Sequence, residues 1–79
     1  MLKNRELKEY CSENDIVQIV TDHTTGMGRI AKITENALLL VNHDDKELVE
    51  EYGEAVPFPS IFPMEEINLI LIIKENNNE

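Results

Sequence analysis

The run IVQIVTDHTTGMGRIAKITENALLLV, residues 16–41, decides the fold class. Ile16 to Thr21 is rich in β-branched side chains, which pack well on a pleated surface and read as a strand. Asp22-His23-Thr24-Thr25-Gly26-Met27-Gly28 is turn chemistry: Asp and Thr bond the local backbone, and Gly accepts positive φ. A second strand is expected from about Gly28 to Thr34, and Glu35-Asn36 reads as a tight turn. The third strand, Ala37 to Val41, is apolar throughout. Links this short make neighbouring strands antiparallel, so the three form a meander.

Upstream, residues 2–12 read as a short helix. Leu, Glu and Lys favour helix, and Leu7, Tyr10 and Cys11 share one side at three- and four-residue spacing. Ser12-Glu13-Asn14-Asp15 reads as its stop. Downstream, Asn42 to Ala55 admits two readings. Asp44 followed by Glu47 resembles a capping box, and Leu48, Val49, Tyr52 and then Gly53 suit a two-turn helix. A hairpin arm turning at His43-Asp44-Asp45 is the competing reading. Pro57, Pro59 and Pro63 bracket Phe58, Ile61 and Phe62; proline cannot donate to a central ladder, so this segment is an edge or loop packed by its rings. Glu66 to Lys74 is the last and strongest strand, and residues 76–79 read as a disordered polar tail. The whole is expected to be one mainly β domain over residues 1–75. Its architecture is a small SH3-like, five-stranded, bent antiparallel barrel over about 15–74, preceded by the short N-terminal helix.

The last strand carries an anomaly. A strand in a small barrel turns one face inward and should alternate apolar with polar. Leu69, Ile70, Leu71, Ile72 and Ile73 do not alternate, so both faces want cover. Burying one such side chain contributes about 1.5–3 kcal/mol. Three covers suit: the N-terminal helix over part of the outer face, complete burial within one chain, or a second copy paired edge to edge. The five residues are therefore the expected oligomer interface, flanked by Glu65, Glu66 and Lys74 as charged gatekeepers.

Composition narrows the functional classes. A chain of 79 residues buries only roughly 60% of its unfolded surface, so it wants an additional stabiliser. The lone Cys11 forms no internal disulfide and fits a reducing, cytoplasmic setting. Met1 to Glu9 has no apolar run of the secretory kind, and Leu69 to Ile73 is too short to span a bilayer, so no membrane role is expected. Sixteen acids against seven bases leave a formal charge of −9, which repels phosphate backbones. Lys3, Arg5 and Lys8 are the exception, a basic cluster near the start and the candidate nucleic-acid contact.

No catalytic constellation stands out. His23 and His43 lie in turns beside Asp22, Asp44 and Asp45 without the spacing of a zinc site, and solvated histidines are the ordinary reading. Cys11 on a helix's apolar side reads as a small core residue rather than a nucleophile. Glu65 and Glu66, adjacent on a strand, point to opposite faces and do not cooperate. Thr24-Thr25-Gly26-Met27-Gly28 lacks the lysine of a phosphate-binding loop. Neither catalytic residues, metal nor cofactor is expected.

Gly28-Arg29-Ile30-Ala31-Lys32-Ile33-Thr34-Glu35-Asn36-Ala37-Leu38-Leu39-Leu40 resembles the first conserved block of Sm-like proteins, notably the bacterial Hfq branch. Ile67 to Ile73 is similar to their closing strand, and residues 2–12 sit where their helix does. The resemblance implies a five-stranded barrel that assembles into a ring by pairing its last two strands between subunits. It also implies single-stranded RNA binding, but the residues for that do not carry over. Thr34 stands at the family's turn acid, Leu38 at the eukaryotic Asn, and Pro63-Met64-Glu65-Glu66 at the Hfq Lys-His pair. Carboxylates there repel phosphate, and Tyr10, Tyr52, Phe58 and Phe62 offer few stacking platforms. The expectation is a non-catalytic binding or scaffolding module that self-associates, its acidity favouring a protein or peptide ligand. The alternative is a single-stranded RNA or DNA binder using Lys3, Arg5 and Lys8.

Overall fold

The computed structural model describes residues 11–75. In chain order they form β1 (Ile16–Thr21), β2 (Thr25–Ile33), β3 (Ala37–Val41), helix α1 (Lys46–Tyr52), β4 (Ser60–Pro63), a 3-10 turn (Met64–Glu66) and β5 (Ile67–Lys74). All strand pairings are antiparallel, in one sheet of order β4-β3-β2-β1-β5. The mainly β class and the count of five strands follow the sequence reading. The sheet is not closed: β4 and β5 each have one partner and form its two edges.

The core lies on one face. Val17, Ile19, Ile30, Leu38, Leu40 and Ile67 are sealed from solvent, and Cys11, Ile33, Phe62 and Met64 complete the cluster. Burial alternates along β3 and along β1 as far as Val20, so period two in the sequence becomes one buried face. Cys11 joins this core, as its apolar neighbours imply. Two devices bend the sheet. Register slips between Ile30 and Lys32 on β2, and twice between β1 and β5. Such bulges raise the local twist. Gly26 and Gly28 also let other groups close over β2, with Val56 and Phe62 packed where side chains would stand.

The hairpin turns are built from threonines. Thr21 Oγ1 accepts the backbone N–H groups of His23 (3.2 Å) and Thr24 (3.0 Å). Thr34 Oγ1 does the same for Ala37 at 3.0 Å. Because Thr21 closes the first turn so tightly, β2 begins at Thr25, three residues before the expected Gly28. Before β1, the Asp15 carboxylate accepts the Ser12 N–H (2.8 Å) and the Asp15 carbonyl accepts that of Ile30 (2.9 Å). The intervening Asn14 has φ of 78°, a region that Asn tolerates better than most residues.

Of the two readings for residues 42–55, the structure adopts the helix. Asp45, not the expected Asp44, caps it: its carboxylate accepts the N–H groups of Glu47 (3.1 Å) and Leu48 (3.3 Å). Gly53, at φ of 101°, ends it by donating to Val49. The proline-rich segment supplies edge strand β4, with Phe62 turned into the core and Phe58 turned out. Glu65 and Glu66 lie in the 3-10 turn rather than on a strand, and both are exposed. The expected helix over residues 2–12 and tail over 76–79 fall outside the described residues, save Cys11 and Ser12, which lie in neither helix nor strand.

Candidate interaction surface

β5 is an edge strand with apolar side chains on both faces. Its register on β1 assigns them. Ile70 pairs with Ile19 and Ile72 with Val17, so both stand on the core face. Leu69 pairs with Val20 and Leu71 with Gln18, which places them on the outer face. Ile73 falls in the register slip before Lys74. Core and edge together do not cover this strand. Leu69 is 48% exposed, Leu71 45% and Ile72 36%, while Ile70 and Ile73 are half-buried. Among the described residues, the segment is therefore not enclosed.

The opposite edge has a matching feature. On β4, Ile61 is 71% exposed, and Phe58 just before the strand is 67% exposed. Both open edges thus present backbone N–H and C=O groups beside large apolar side chains. Such an edge is a template for another strand unless something covers or blocks it. Pro63 at the end of β4 and Lys74 at the end of β5 limit how far a ladder can run.

Lys74 also has a partner. Its Nζ donates to Asp45 Oδ2 at 2.9 Å, which ties the end of β5 to the cap of α1. The bond to Lys74, and then the bond from the Leu48 N–H, hold the Asp45 carboxyl below the usual carboxylate range. The same bond raises the Lys74 ammonium above the ordinary lysine range. At the other end of β5, Asn68 Nδ2 donates to Asp22 Oδ1 at 2.6 Å. The strand is pinned at both ends and open between.

The residues considered for chemistry are dispersed or inert. Burial, and after it the Asp15 charge, pushes the Cys11 thiol up to about 11, the opposite of what a nucleophile needs. His23 is exposed in the first hairpin turn. His43 corrects the solvated reading: it is 3% exposed, and its Nδ1 accepts the Asp45 N–H at 3.1 Å. Among the described residues no cluster of three or more His, Cys, Asp or Glu side chains is placed to hold a metal. No described helix is long and apolar enough to cross a membrane. Lys3, Arg5 and Lys8 lie outside the described residues. No protein-family model, curated protein or solved structure matches the chain.

Proposed function

We propose that this protein is a non-catalytic binding or scaffolding module of Sm-like, small-barrel type that self-associates through β5, in a cytoplasmic setting. One observation carries the reading: among the described residues β5 is an open edge, with Leu69, Leu71 and Ile72 exposed. Strand pairing there satisfies the orphan backbone groups and removes apolar area at about 25 cal/mol per Å². The partner edge is β4 of a second copy, where exposed Ile61 meets the β5 side chains. The two edges differ, so the contact is head to tail, and closure into a ring is what removes every open edge.

The bound partner is a protein or peptide. A charge of −9 disfavours phosphate backbones, and the described residues hold four bases, Arg29, Lys32, Lys46 and Lys74. The experiment is the mass in solution, by light scattering or sedimentation equilibrium at micromolar concentration. A mass of several chains, reduced by Leu71→Glu, is expected. A mass of one chain removes the self-association and the scaffold role with it.

A further inference from the structure

We propose that His43 is a proton-operated latch: uptake of a proton by its imidazole releases α1 from the end of β5 while the sheet stays folded. His43 is 3% exposed and stands just before the cap of α1. Its Nδ1 accepts the Asp45 N–H at 3.1 Å. A backbone N–H can only donate, so Nδ1 carries no proton and the neutral ring holds its proton on Nε2. A second proton has to go on Nδ1, where it faces the Asp45 N–H donor to donor. The other side of the ring offers no compensation, because Nε2 is buried with no hydrogen-bond partner among the described residues. A buried charge without partners costs far more than a solvated one. The charged ring therefore belongs in water, and reaching it undoes the Asp45 turn.

Charges around that turn bear on the balance. Arg29 of β2, Lys74 and Glu75 at the end of β5, and Asp44 and Asp45 beside the ring line one cavity with His43. The three carboxylates favour an imidazolium, and the two cations oppose it. Asp44 and Glu75 are exposed, where water screens them, and Asp45 is engaged by Lys74 at 2.9 Å. Neither ring nitrogen is bonded to a carboxylate among the described residues. The facing donor decides.

The element on this latch is easily moved. No residue of α1 is buried, and its 7 residues are too few for a helix to hold by itself in water. Its first turn depends on Asp45, which also accepts from Lys74. Behind it the segment has a closed base. Asn42 Nδ2 donates to the Val56 carbonyl at 3.1 Å, and the Val56 N–H donates to the Met27 carbonyl at 2.8 Å. Residues 43–55 can therefore open as a flap with β1, β2 and β3 left paired. This inference does not depend on self-association, and failure of either leaves the other standing.

The test is NMR of the full chain from about pH 8 to about pH 5, the range in which histidine ordinarily changes charge. Asp45, held below the usual carboxylate range, stays ionised there. At the upper end the ring nitrogen shifts should show the Nε2–H tautomer. As His43 charges, the Cα shifts of residues 46–52 should lose most of their helical offset, while those of β1, β2 and β3 stay. His43→Asn keeps an oxygen that accepts a backbone N–H two residues on and takes up no proton, so α1 should persist in acid. His23→Asn, at the other histidine, should leave the transition in place. An α1 that stays helical while His43 charges overturns the proposal, as does a ring that stays neutral down to about pH 5. So does an Nδ1–H tautomer at the upper end, or an unchanged acid transition in a well-dispersed His43→Asn spectrum.

Discussion

Gly28 on β2 and Val41 at the end of β3 are so close that a Cβ on Gly28 would stand 2.5 Å from the Val41 carbonyl oxygen. The obstacle is backbone, which cannot rotate away. Val56 Cγ2, at 3.2 Å from the same position, closes the remaining side. Gly26 faces a different neighbour, the Phe62 ring at 2.9 Å, which can yield by a small tilt.

Gly28→Ala is expected to destabilise the fold by about 1–3 kcal/mol, as overpacking does. At this chain length each kcal/mol lowers the melting temperature by about 4–8 °C. Gly26→Ala should cost less. Thermal unfolding of the two variants decides, and equal melting temperatures would contradict the close approach at Gly28.

The Asp45–Lys74 pair sets a pH window for the contact between β5 and α1. The Asp45 carboxyl titrates below its unfolded value, so its contribution is present above the ordinary carboxylate range and lost as pH falls through the lowered value. The Lys74 ammonium titrates above its unfolded value, so its share persists below the ordinary lysine range and is lost as pH rises through the raised one. Asp45→Asn keeps the helix cap and removes the charge. Its loss of stability at neutral pH should therefore shrink with added salt and in acid. A loss equal at all pH values would show that the pair contributes nothing.

Cys11 should be protected in the native state. With the thiol pushed up to about 11, a thiolate-dependent reagent is expected to label it slowly at neutral pH and at an ordinary rate after denaturation. The stability tied to the neutral thiol holds below its unfolded value and is lost as pH rises towards about 11. Equal labelling rates in native and denatured protein would place Cys11 outside the core.

Much of this fold is legible in the sequence. The period-two pattern of Ile16 to Thr21 and the apolar run Ala37 to Val41 become β1 and β3 with the expected bounds. The failure of Leu69 to Ile73 to alternate is a sequence fact, and the structure gives it a cause in an edge strand with two apolar faces. What escaped depends on contacts distant in sequence. Nothing near His43 in the sequence reveals that it is buried. The spacing to Glu47 favours Asp44 as the cap, but Asp45 takes that role and also meets Lys74, 29 residues away. The early start of β2 follows from hydroxyl bonds of Thr21 that periodicity does not register.

Short single-stranded oligonucleotides should not bind at physiological salt, because a net charge of −9 opposes them. Fluorescence anisotropy at low and moderate ionic strength checks this. Binding that Lys3→Ala, Arg5→Ala and Lys8→Ala together abolish would replace the peptide with nucleic acid as the ligand class.

The most direct measurement is the molecular mass of the wild-type chain beside Leu71→Glu, whose side chain stands on the outer face of the β5 edge. A multiple of the chain mass for the wild type is expected, together with a lower mass and an unchanged circular dichroism spectrum for the variant. A wild-type mass of one chain at micromolar concentration, with Leu69, Leu71 and Ile72 left in water, would contradict it.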